Sequence, residues 1–88
     1  MKRLRISPFQ AAMLRRVRDV EAKDGYCALT SDASKKALYG RSRGFSTAER
    51  VTQHRSIRRL VANGMIAETI CGYFGLTDKG RAWLEARE

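Results

Sequence analysis

Residues 46–66 read STAERVTQHRSIRRLVANGMI, and the fold of the chain turns on how this stretch is read. Ser46 stands three residues before Glu49, the spacing at which a cap hydroxyl and an acidic side chain satisfy each other's free backbone N–H groups at a helix start. Val51, His54, Ile57, Leu60 and Val61 then recur at spacings of three, three, three and one. That periodicity predicts a helix over 47–63 with an apolar stripe centred on Ile57 and Val61. Asn63-Gly64 ends it, because the residue just beyond a helix favours a left-handed backbone that glycine adopts without steric cost. His54 falls beside the stripe, so the expectation is a buried, hydrogen-bonded imidazole, with a surface contact or a pH-sensitive group as the alternatives.

Downstream, 65–70 and 73–76 flank Cys71-Gly72, the pattern of a β-hairpin with a short turn. Thr77 caps a last helix from Asp78 to about Ala86, with Trp83 and Leu84 facing inward. Tyr73 and Phe74 point to opposite sides of the hairpin, and Phe74 is assigned to the core.

Upstream, Ser7-Pro8-Phe9-Gln10 combines a cap, a proline at the first helical position and a glutamine at capping-box spacing. Phe9, Met13, Val17 and Val20 form the apolar face of that first helix, which Asp24-Gly25 closes. Tyr26-Cys27-Ala28-Leu29 reads as a brief strand, and Thr30 or Ser31 caps a second helix through Ala33, Ala37 and Leu38 that stops at Gly40. The connection Arg41-Ser42-Arg43-Gly44-Phe45 is basic with one apolar anchor. The expected order is helix, strand, helix, helix, hairpin, helix: an α+β fold in a single domain, 1–88.

A unit of 88 residues buries only about 60–65 % of its unfolded surface, so a deep catalytic pocket is not expected. No cluster of His, Cys and carboxylates, no glycine-rich phosphate loop and no nucleophile motif stands out, which argues against an enzyme. Cys27 and Cys71 are 44 residues apart with one histidine in the chain, so neither a metal nor another cofactor is expected; both thiols are read as reduced and packed in strands. No run of 18 apolar residues exists and Met-Lys-Arg-Leu-Arg-Ile leads into a polar segment, which reads as cytoplasmic with no membrane partner.

The net charge of +9 is unevenly spread. Residues 1–18 hold Lys2, Arg3, Arg5, Arg15, Arg16 and Arg18 with no acid, whereas 19–34 hold one base and four acids. Residues 35–59 hold eight Lys or Arg against Glu49 alone. Clustered positive charge meets polyanions favourably because each neutralised phosphate releases condensed counterions, so nucleic acid is the expected partner.

Two local sequences, Arg55-Ser56-Ile57-Arg58-Arg59-Leu60-Val61-Ala62-Asn63-Gly64-Met65-Ile66 and Tyr73-Phe74-Gly75-Leu76-Thr77-Asp78-Lys79-Gly80-Arg81-Ala82-Trp83-Leu84, stand in order about the hairpin. Together they resemble winged helix-turn-helix transcription regulators of the MarR-like and PadR-like kind: the end of a recognition helix with its glycine stop, then a wing exit into Leu-Thr-x-x-Gly. The resemblance implies sequence-specific binding of double-stranded DNA, transcriptional regulation and a homodimer; it assigns no small-molecule effector. The basic connection 40–45 is longer than the family's usual turn, and the wing from Glu68 to Gly75 carries no Lys or Arg.

On this reading the helix 47–63 enters the major groove. Thr52, Gln53, Arg55 and Ser56 are the expected base contacts, led by Arg55, because a guanidinium can bond guanine O6 and N7 together. Lys35, Lys36, Arg41, Arg43, Arg50, Arg58, Arg59 and Tyr73 are the expected contacts to the DNA backbone. The alternatives are a winged-helix module that grips an acidic protein partner, and an architectural factor binding nucleic acid without sequence choice.

Overall fold

A computed structural model describes residues 5–70 and 72–87; Lys2, Arg3 and Cys71 lie outside them. Four helices and a two-stranded antiparallel hairpin follow one another as α1 (Pro8–Asp24), α2 (Asp32–Tyr39), α3 (Thr47–Ala62), β1 (Ile66–Ile70), β2 (Tyr73–Leu76) and α4 (Asp78–Glu85) among the described residues. Each helix begins on a hydroxyl cap: Ser7, Ser31, Ser46 and Thr77 each accept a backbone N–H three residues on. At Ser7 and Ser46 the reciprocal bond from Gln10 or Glu49 is also made, completing both capping boxes. Such caps stabilise a helix by about 1 kcal/mol apiece.

α1 is the spine of the molecule. Met13, Leu14 and Val17 are fully buried and meet Leu29, Ile57, Leu60, Met65, Ile66, Phe74, Leu76 and Leu84 in one core. Phe9, Val20, Leu38 and Trp83 cover its margin; Trp83 is half-buried, with the Arg87 guanidinium 4.2 Å from its ring centroid.

The hairpin pairs Ile66 with Leu76, Ala67 with Gly75, Glu68 with Phe74 and Ile70 with Tyr73, with a bulge between Glu68 and Ile70. The strand expected over 26–29 contracts to a single bridge. Cys27 N–H donates to the Phe74 carbonyl and Phe74 N–H to the Cys27 carbonyl, each at 2.8 Å. The chain then turns at once, Ser31 N–H reaching the Ala28 carbonyl at 3.1 Å, so pairing cannot extend. In α2 the inward residues are Ser34 and Leu38; Ala33 and Ala37 are exposed.

Glu21 ties the hairpin to the spine, its carboxylate accepting the Leu76 N–H at 2.7 Å across 55 residues of sequence. Burial pushes the Cys27 thiol above its ordinary pKa, against the opposing influences of the Ser34 hydroxyl and the Arg16 charge. Cys27 is therefore a free, protonated thiol that packs as a small apolar group.

Candidate nucleic-acid interface

Ile57 and Leu60 set which way α3 faces. They are its two buried residues, and the half-buried Gln53 and Ser56 lie on the same side. At about 100° per residue, centring the buried side on Ile57 and Leu60 places Arg55 about 170° away and Val51 about 150° away. The outward crest therefore runs Ala48, Val51, Arg55, Arg58, Ala62, all exposed. His54 lies along one flank of the crest, Thr52 and Arg59 along the other, while Arg50, exposed near the start of the helix, points about 50° from the buried side.

This phase corrects the stripe expected from the sequence. Val51 and Val61 are 44% and 39% exposed rather than inward, and His54 is exposed rather than buried. A spacing of three falls short of a full turn by about 60° each time, so a run at 51, 54, 57 and 60 winds around the helix. The core can accept only part of it, and Ile57 with Leu60 is the part that meets α1 and β1.

The candidate base contacts separate accordingly. Arg55 stands on the crest. Thr52 is exposed on the flank, but its hydroxyl donates to the Ala48 carbonyl at 3.0 Å, so towards a ligand it offers only lone pairs and its methyl group. Gln53 turns towards Phe9 and Tyr39, with which it lines a small hollow between α1, α2 and α3. Ser56 is half-buried beside the same inner side. Val51 and Arg58 join Arg55 on the crest. Val51 was hidden from sequence reading by its fit to the three-residue spacing; weighting the large aliphatic pair Ile57 and Leu60 alone would have turned it outward.

The backbone-contact candidates also differ in their surroundings. Arg41 is pinned: its guanidinium donates to the Gly44 carbonyl and to Glu49 Oε2, each at 2.6 Å, and lies 4.4 Å from the Phe45 ring centroid. Phe45 packs edge-on to Tyr39, which in turn meets Phe9, so the basic connection is seated on an aromatic row. Lys35 is half-buried with its ammonium 5.8 Å from the Phe45 centroid, while Lys36 and Arg43 are exposed. Tyr73 stacks edge-on against Tyr26 with centroids 4.8 Å apart, and beside it on the hairpin Ile70 is 66% exposed.

The partnering of the arginines is the sharpest electrostatic feature. Arg16 bonds Ser34, Arg18 pairs with Asp19, Arg41 with Glu49 and Arg81 with Glu21. Arg50, Arg55, Arg58 and Arg59 make no ion pair or side-chain hydrogen bond with any described residue. From Arg50 to Ala62 the helix contains no acid at all, so its cations stand ready for an external anion.

Among the described residues no group of three or more His, Cys, Asp or Glu is placed to hold a metal ion, and no helix is long and apolar enough to cross a membrane. Compared with protein-family models, curated proteins and solved structures, the chain matches none.

Proposed function

We propose that the chain is a winged helix-turn-helix domain that binds double-stranded DNA sequence-specifically, as a transcription regulator, with α3 lying in the major groove. In this reading the hairpin β1–β2 is the wing, and the Cys27–Phe74 bridge is the remnant of a third strand. The observation that carries the proposal is the set of four arginines on α3 without a partner among the described residues, on a stretch of helix with no acid.

A major groove admits one helix, with side chains on its crest reaching base edges and cations on its flanks meeting the phosphates. Arg55 is the leading base reader. Arg59, on a flank of the crest, and Arg50, exposed near the helix start, suit the phosphates that border the groove. Lys36 and Arg43 extend the positive surface beyond the helix. Arg41 acts chiefly by holding the connection 40–45 against Glu49.

Selection of bound duplexes from a random pool at about 0.15 M salt tests the reading, because purely electrostatic binding weakens steeply there. The expected outcome is an enriched motif, and an inverted repeat would report a two-fold dimer. Retention of duplex without any enriched motif would replace it with the architectural reading. Failure to retain any duplex would reject DNA binding.

A further inference from the structure

Val51 is out of place as a structural residue. It lies outside the core and its margin, is 44% exposed, and sits in the first half of α3, where a β-branched side chain is a poorer helix former than alanine. The other large exposed apolar side chains are placed differently: Tyr26, Tyr73 and Ile70 belong to the hairpin region, and Val61 lies off the crest. Val51 alone of them shares the crest with Arg55, one helical turn away.

The major groove has one apolar feature to offer such a side chain, the C5-methyl group of thymine. The surroundings of Val51 favour close approach: Ala48, nearly one turn earlier on the crest, is small, and the hydroxyl of the flanking Thr52 is turned back on the helix to the Ala48 carbonyl. Resting on the proposal that α3 reads DNA, we infer that Val51 is a specificity-determining residue that packs on a thymine methyl while Arg55 bonds the N7 and O6 of a guanine. Four residues of helix rise about 6 Å, against about 3.4 Å per nucleotide along a strand. The thymine therefore lies about two base-pair steps from the guanine.

The test replaces each thymine of the selected duplex, one at a time, by uracil, which keeps every pairing and acceptor group and loses only the methyl. One replacement, about two steps from the Arg55-dependent guanine, is expected to weaken binding about fourfold, the loss for one methyl group returned to water. In Val51→Ala, which fills an exposed helical position with a better helix former, thymine and uracil duplexes bind equally while the guanine preference remains. The inference is overturned if no uracil replacement alters affinity, or if the loss persists in Val51→Ala. Absence of any selected duplex would reject the DNA reading itself, a result distinct from either.

Discussion

At Gly80 a methyl group would lie 2.1 Å from the Met65 carbonyl oxygen, a contact with backbone rather than with a movable side chain. That same carbonyl accepts the Thr77 N–H at 3.2 Å, the Thr77 hydroxyl lies 2.5 Å from the Gly64 carbonyl and 2.9 Å from that of Met65, and the hydroxyl oxygen in turn accepts the Gly80 N–H at 3.0 Å. Thr77 and Gly80 thus lock the start of α4 onto the residue that leaves α3, which gives the Leu-Thr-x-x-Gly sequence a steric reason. Gly80→Ala should cost about 1–3 kcal/mol of stability through forced displacement of backbone. For a domain of this size a thermal melt should then shift down by about 5 °C or more. An unchanged melting temperature would show that the junction yields freely. Glu21, by contrast, carried no local signal: its partner Leu76 is 55 residues away, and only the packed fold brings them together.

At the scale of the element, the start of α3 is held by one carboxylate with several partners. The Glu49 carboxyl is held below its ordinary pKa chiefly by the Ser46 backbone N–H, against desolvation as the next influence, with the Ser46 hydroxyl and Arg41 adding smaller pulls downward. A carboxyl depressed in the folded state contributes stability that is present above its unfolded pKa, about 4.3, and lost as pH falls through the folded value. Acidification below about pH 4 should therefore fray the first turn of α3 and release Arg41. Amide chemical shifts of 44–50 followed through this range report it, and Glu49→Gln should remove the transition. A Glu49 titration at the ordinary glutamate pKa would contradict the assigned contacts.

The same element shows what a sequence discloses and what it does not. Capping boxes at Ser7 and Ser46, the stop at Gly40 and the hairpin about 71–72 were legible because each is decided within a few residues of chain. The rotation of α3 was not. Both Ile57-with-Val61 and Ile57-with-Leu60 satisfy helical spacing, and the choice belongs to α1 and β1, which offer room for only one of them. His54 and Val51 changed sides with that choice. Of the candidate base contacts, Arg55 stands on the outward side that its spacing implied, while Gln53 and Ser56 lie towards the inner side.

Across the whole molecule, the contrast is between arginines that serve the fold and arginines that do not. Arg41 and Arg81 tie loop and helix to carboxylates on other elements, and Arg16 reaches the buried Ser34 across the α1–α2 contact. Those on α3 tie to no side chain among the described residues, and against Glu49 alone they give that helix a net +3 of the chain's +9.

The most direct test measures affinity for the selected duplex at several salt concentrations, with single alanine substitutions at Arg50, Arg55, Arg59 and Arg81. Removal of Arg55 should cost about 1–3 kcal/mol on the selected site and much less on unrelated duplex, while removal of Arg50 or Arg59 should weaken all duplexes alike and lower the salt slope by about one. Loss of Arg81, paired with Glu21, should leave both quantities near their starting values. Equal losses at all four positions, on every duplex, would contradict the account: α3 would then be only one part of a diffuse positive surface.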